Sequence, residues 1–237
     1  MSEFPIYYLV ISAVVCLCLI WIRRRAVAQN FKPQFVLDLS LGGLIFGFIG
    51  ARGFHVIYEY PELYLSEPWR IFDFGRGGYV YYGGLLLGLS AVWLYLKKKK
   101  TLAIGQYFDL AAPVISAGYA FGRIACLLSG CCYGPFTEVF WHVEHRHPTP
   151  LYATIIECLV LFLILYLEKN KNKVFSGYFR ESGRLFFTWL SLHSLTRFFL
   201  EFWRDDFRGP SYLLSISSWI SLGLLGLSVG FLLKDRK

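Results

Sequence analysis

The sequence predicts an all-α integral membrane protein of seven transmembrane helices, with the N-terminus outside and the C-terminus cytoplasmic. Three observations predict it. Of the 237 residues, 56% are hydrophobic and 19% aromatic against 17% charged, a composition too apolar for a soluble domain of this length. Seven apolar stretches approach the ~20 residues that a helix needs to span a bilayer. The cationic residues gather in short clusters at the ends of these stretches, so the formal charge of +8 reads as membrane topology and not as a nucleic-acid surface.

The stretches run near 4–22, 35–58, 79–96, 106–128, 150–167, 184–203 and 213–233. The first ends in Arg23-Arg24-Arg25 and lacks both a basic start and a small-residue cleavage site, so it reads as a retained helix and not as a removable signal peptide. Arg23, Arg24, Arg25 and Lys32 follow the first stretch, and Lys97 to Lys100 follow the third. Lys169, Lys171, Lys173, Arg180 and Arg184 follow the fifth, and Lys234, Arg236 and Lys237 close the chain. These clusters share one side. The opposite loops hold only Arg70, Arg76, Arg146, Arg204 and Arg208, which makes the first side cytoplasmic. No internal repeat divides the chain, so residues 1–237 read as a single domain, with outer loops near 61–78 and 129–149 expected to be ordered. The second stretch carries Gly42, Gly43, Gly47, Gly50 and Gly53, which suit close helix packing. In the third, Gly83 and Gly84 follow Tyr81 and Tyr82 at the watery end, where glycines also clear space for a lipid headgroup.

Ionisable residues inside apolar segments are expensive and mark function. Arg52 and His55 fall late in the second stretch, Arg123 late in the fourth, Glu157 early in the fifth, and Arg197 and Glu201 late in the sixth. All lie in the outer half; Asp38 and Asp109 are the exceptions. The alternative for Arg123 alone is snorkelling to its own headgroup layer. Arg197, Glu201 and Arg204 follow a spacing of four then three, which on a helix puts them on one face with Glu201 between two guanidinium groups. Their alternative is a self-satisfied ion cluster at the membrane edge. Arg52 and Arg123 tilt the balance, because the cationic excess then exceeds what Glu157 and Glu201 neutralise. Guanidinium forks match phosphate oxygens, so the expected partner is an anionic phospholipid.

Of the six cysteines, Cys16, Cys18 and Cys158 lie inside apolar runs and read as small buried hydrophobes. Cys126, Cys131 and Cys132 lie in or beside a Gly-containing turn, with His142, His145 and His147 downstream. Adjacent cysteines without a C-x-x-C pair do not match the usual zinc patterns, so no metal and no cofactor is expected. His147 opens His147-Pro148-Thr149-Pro150-Leu151-Tyr152. Two readings of it stand side by side: a site imidazole, or an incidental residue before a proline-started helix.

Three ordered motifs then resemble one family, the bacterial prolipoprotein diacylglyceryl transferases, over most of the chain. The stretch G-R-I-A-C-L-L-S-G-C-C-Y-G at 122–134 is similar to the family signature around an essential arginine, which Arg123 matches, with Gly122 before it and Gly134 closing it. H-P-T-P-L-Y at 147–152 resembles H-P-[ST]-Q-L-Y and carries His147 and Tyr152 across; R-F-F-L-E-F-W-R at 197–204 resembles R-F-x-x-E-F-x-R and carries Arg197, Glu201 and Arg204. The resemblance implies transfer of diacylglyceryl from phosphatidylglycerol to a cysteine of a preprolipoprotein signal peptide, in a multi-pass protein of the bacterial inner membrane. It implies Arg123, Arg197, Glu201 and His147 as catalytic residues; Tyr82, at the family's histidine position, is expected to join them as an orienting hydrogen-bond donor, with the base left open among Tyr82, Tyr81 and His147. Arg52, Tyr81, Gly83, Gly84, Gly122, Gly134, Tyr152 and Arg204 are expected to bind substrate. The chain departs from the family where Tyr82 replaces a histidine, Cys126 an asparagine, Cys131 a glutamate and Ala153 a glutamate. A lipid-binding relative that has lost the chemistry is the alternative those departures raise. A transporter of an anionic solute is a weaker one, because charges along the cytoplasmic half are sparse.

Overall fold

Each of the seven apolar stretches forms a long helix, because a largely apolar run in lipid satisfies its backbone only within itself. The computed structural model describes residues 6–100, 103–173, 178–206, 209 and 213–234. Arg208, Arg236 and Lys237 of the charge count, and the first residues of the first predicted stretch, lie outside them. The helices are α1 (Ile6–Ala28), α2 (Pro33–Phe54), the short α3 (Pro61–Ser66), α4 (Tyr81–Lys99), α5 (Ile104–Leu128), α6 (Thr149–Lys169), α7 (Arg184–Glu201) and α8 (Ile216–Leu233). Five of the long ones, α1, α2 with the π turn that follows it, α5, α6 and α8, are long and apolar enough to cross a membrane. α4 and α7 carry more polar residues, with three lysines in the last turn of α4 and Arg184, Arg197 and Glu201 in α7. Leu17, Ile49 and Phe162 are each more than half exposed, a lipid-facing surface that a water-soluble fold would not leave bare. The chain is a helical, multi-pass membrane protein.

α5 is the central helix. It packs on α1, α6 and α7, and most of its residues from Tyr107 to Cys126 are buried. Asp109 of α5 fixes α7: its carboxylate accepts from the backbone N–H of Gly183 at 2.6 Å and of Phe186 at 2.8 Å. A negative charge there satisfies amides that the first turn of a helix leaves without partners. At the same end of the bundle Arg25 of α1 makes a forked pair with Glu168 of α6, at 3.0 and 2.7 Å.

α2 and α4 pack through their glycines. Gly83 would place a Cβ 2.5 Å from the Gly50 carbonyl oxygen, and Gly84 one at 3.0 Å from that of Gly47. Gly83 and Gly84 therefore serve this helix contact, and neither lines the arginine cleft described below. Gly83→Val is expected to destabilise the protein by about 1–3 kcal/mol through overpacking, read as a lower melting temperature in detergent; an unchanged melt would refute the close contact.

The segment between α2 and α4 is ordered by Arg52. Its guanidinium donates to the carbonyls of Arg70, Ile71, Asp73, Gly77 and Gly78, at 2.7 to 3.2 Å. This segment folds into α3 and two short 3-10 turns, Pro68–Phe72 and Phe74–Arg76.

Candidate active site

The site forms where the ends of α5 and α7 meet the start of α6. One cleft is lined by Arg123, Cys132, Thr149, Pro150, Ala153, Arg197, Leu200 and Arg204, so residues of all three motifs meet there. Gly134 allows the meeting: a Cβ at this position would collide with the Trp203 carbonyl and stand 3.0 Å from His147 and Thr149. Its N–H donates to the His147 carbonyl at 2.9 Å.

Arg123 and Arg197 are both buried and share Tyr119, a residue the sequence reading missed. The Arg123 guanidinium lies 4.9 Å from the centre of the Tyr119 ring, and Arg197 donates to the Tyr119 hydroxyl at 3.2 Å. Rings and guanidinium planes attract one another here through the quadrupole of the ring. Among the described residues Arg123 has no carboxylate partner, and the Arg197–Glu201 pair is long at 3.7 Å. The Arg197 Nε is buried without a hydrogen-bond acceptor. Glu201 accepts from Ser215 at 2.6 Å.

Arg204 departs from the expected clamp. α7 ends at Glu201, so the helical face does not continue to Arg204. Arg204 instead forks onto Asp206, at 2.9 and 2.6 Å, while still lining the cleft. Arg52 is absent from the cleft, its donors directed to the carbonyls of the segment between α2 and α4.

The tyrosines of α4 stand behind Arg197, whose guanidinium lies 5.9 Å from the Tyr81 ring centre and 5.7 Å from that of Tyr82. Tyr82 is hydrogen-bonded to Ser221 at 2.5 Å. Tyr81 begins a chain that sequence reading did not join: its hydroxyl is 3.0 Å from His193 Nε2, and His193 Nδ1 is 2.8 Å from Glu157. Glu157 also accepts from Ser116 at 2.7 Å and from the Trp189 indole at 2.9 Å. With Nδ1–H donating to the carboxylate, Nε2 is left to accept from Tyr81. A signal was present, since His193 lies four residues before Arg197 and so shares its helical face.

His147 and Tyr152 come together beside the cleft without lining it. His147 Nδ1 is 3.1 Å from the Tyr152 hydroxyl, which also accepts from the Trp141 indole at 2.7 Å. Gly122 faces α1, where an added Cβ would stand in ordinary contact with Ile11 at 3.6 Å, so the cleft does not account for this glycine.

The turn after α5 carries the cysteines. Gly130, at φ +69°, reverses the helix, and the Cys131 N–H bonds the Cys126 carbonyl at 3.1 Å. This is a Schellman ending, which folds the second residue past the cap onto the last turn. Cys132 also takes a positive φ of 66°, and its carbonyl accepts from Thr149 at 2.5 Å. The Cys132 thiol is held below the ordinary thiol range by hydrogen bonding with the Cys126 and Cys131 thiols and, next, by the charges of Arg204 and Arg123. Burial opposes the shift.

Comparison with known proteins shows the family of the chain. The family model described as Prolipoprotein diacylglyceryl transferase matches residues 2–234. A phosphatidylglycerol–prolipoprotein diacylglyceryl transferase of Campylobacter lari is 34% identical over 232 residues, covering 90% of this chain and 81% of the relative. Another from Clostridium tetani is 29% identical over 227 residues, covering 91% and 87%. The chain belongs to the prolipoprotein diacylglyceryl transferase family.

Proposed function

We propose that this protein transfers diacylglyceryl from phosphatidylglycerol to a cysteine thiol in the signal peptide of a prolipoprotein. The reaction takes place at the outer leaflet of the bacterial inner membrane. The protein acts there as one seven-helix unit, N-terminus outside and C-terminus cytoplasmic. The observation that carries this reading is the cleft shared by Arg123, Arg197 and Arg204, where Arg123 lacks a carboxylate and the Arg197 Nε lacks an acceptor among the described residues. A lipid phosphate supplies the missing acceptors, and the forked guanidinium geometry suits it. The names of the relatives give the substrates the same chemistry.

In the reaction, the acceptor sulfur attacks the diacylglyceryl carbon that carries the phosphate. A C–S bond forms as the C–O bond breaks, and glycerol phosphate leaves with the bonding pair. The arginines hold the charge that develops on the leaving oxygen. Glu201 and Tyr119 orient Arg197, and Tyr82 packs behind it. The attacking species is the thiolate, so the thiol must give up its proton. Tyr81 offers a route: its oxygen takes the proton as its own O–H proton passes to His193 Nε2, and Glu157 stabilises the imidazolium. His147 and Tyr152 support the wall of the site from the side.

The test is complementation of a bacterium depleted of its own diacylglyceryl transferase. Restored growth and lipid-modified prolipoprotein are expected. Failure of a correctly inserted protein to modify any prolipoprotein would overturn the reading in favour of a lipid-binding relative.

A further inference from the structure

Three thiols converge beside the arginine cleft, and the proposed reaction leaves them without a role. The sulfurs of Cys126, Cys131 and Cys132 lie within 4.8 Å of one another, and those of Cys131 and Cys132 are 3.6 Å apart. All three are free; Cys126 is buried and the other two are half-buried. Spacing in the sequence argues against a metal because it considers only the adjacent pair. The Schellman ending adds the third ligand, since it returns Cys131 over Cys126. The positive φ of Cys132, unusual for a residue with a side chain, belongs to the same turn that gathers the sulfurs.

Distances discriminate between the uses of such a cluster. Sulfurs bound to zinc at about 2.3 Å stand about 3.8 Å apart in a tetrahedron and about 4.0 Å apart in a plane. The observed spread brackets both values, and closing the widest separation takes a shift below about 1 Å. A disulfide of the adjacent pair is strained, because neighbouring Cα atoms are ~3.8 Å apart, short of the ~4.4–6.8 Å usual for a disulfide. Charge agrees as well. Three thiolates around a divalent ion carry a net negative charge, which Arg123 and Arg204 of the same cleft offset. Neighbouring groups hold the cluster in place too: Ser129 donates to the Cys131 sulfur at 3.5 Å, and Thr149 donates to the Cys132 carbonyl.

We propose that Cys126, Cys131 and Cys132 bind a soft d10 metal ion such as zinc as three thiolates, and that the ion's fourth position, on the cleft side lined by Cys132, takes the acceptor thiol. The second half rests on the transferase reading; the first half does not. Coordination acidifies the thiol, and its proton leaves through the Tyr81–His193 route of the transferase reading. The bound sulfur keeps a lone pair, which forms the C–S bond as the phosphate departs. The metal–sulfur bond then breaks, since the neutral thioether product is the weaker ligand. No electron transfer is involved.

The test uses the full chain in detergent, reduced with a phosphine, stripped with a chelator and titrated with cobalt(II), which reports thiolate ligation by its sulfur-to-metal absorption. One cobalt per chain, displaced by zinc, is expected. Cys126→Ser, Cys131→Ser and Cys132→Ser should each weaken binding by at least about tenfold, with Cys→Ala partners and thermal melts guarding against misfolding. Cys158→Ser, on α6, should bind as wild type. Absence of the band in the reduced wild-type protein, or equal binding by the folded Cys126, Cys131 and Cys132 variants, overturns the site. A Cys126–Cys131 disulfide in the isolated protein, with no cobalt bound after reduction, overturns it in favour of a redox pair. A lipobox peptide with its cysteine should then alter the band, and the serine version should not. If the cysteine peptide is modified while the band stays unchanged, the fourth-position assignment is wrong. Metal titration needs no turnover, so a protein that binds cobalt yet never transfers lipid fails the transferase reading and keeps the metal site.

Discussion

Arg123→Ala is expected to leave a folded, inserted protein whose diacylglyceryl transfer is lower by about 100- to 1,000-fold, the cost of losing one preorganised donor to a developing negative charge. The fold should tolerate the change, because Arg123 has no carboxylate partner among the described residues and its contact with the Tyr119 ring is what the fold loses. What is lost is a fork aimed into the cleft. Arg123→Lys should recover little, since an ammonium places one point charge where a guanidinium places two parallel bonds. The measurement is transfer of labelled diacylglyceryl from phosphatidylglycerol micelles to a lipobox peptide by purified protein. Activity near wild type in Arg123→Ala would remove this arginine from the site.

The helices were legible because their cause is local: an apolar run of about 20 residues has few other ways to satisfy its backbone in lipid. Arg123, Arg197, Glu201 and Arg204 were legible as a group because charges in such runs need partners. Their detailed pairing was not. The four-then-three spacing assumes that the helix continues, and α7 stops at Glu201, which hands Arg204 to Asp206. Arg52 looked like a phosphate ligand because its partners are backbone carbonyls of residues 70–78, folded back by tertiary structure, and carbonyls leave no mark in a sequence. Gly83 and Gly84 stood next to the right tyrosines and serve α2 instead. The cysteine cluster was half legible. Gly130 directly after a helical run announces a C-cap, and that ending brings Cys131 back to Cys126.

Glu157→Ala carries the second large expectation, a loss of about 3–5 kcal/mol of stability, as for breaking any buried pair by removing one partner. Glu157 is 1% exposed and His193 fully buried. Without the carboxylate, Ser116 and Trp189 lose their acceptor and His193 loses the group that fixes its tautomer. Glu157→Gln separates this structural role from the relay. The amide oxygen still accepts from Ser116 and Trp189, while its NH2 faces His193 Nδ1, which must now accept. That moves the imidazole hydrogen to Nε2, where it donates to Tyr81 and can take no proton from it. The Gln protein should therefore melt close to wild type and lose most transfer, whereas the Ala protein should lose both. Thermal unfolding in detergent and the peptide transfer assay read the two effects separately. A wild-type melt for Glu157→Ala would dismiss the structural role, and wild-type transfer by Glu157→Gln would dismiss the Tyr81–His193–Glu157 route for the proton.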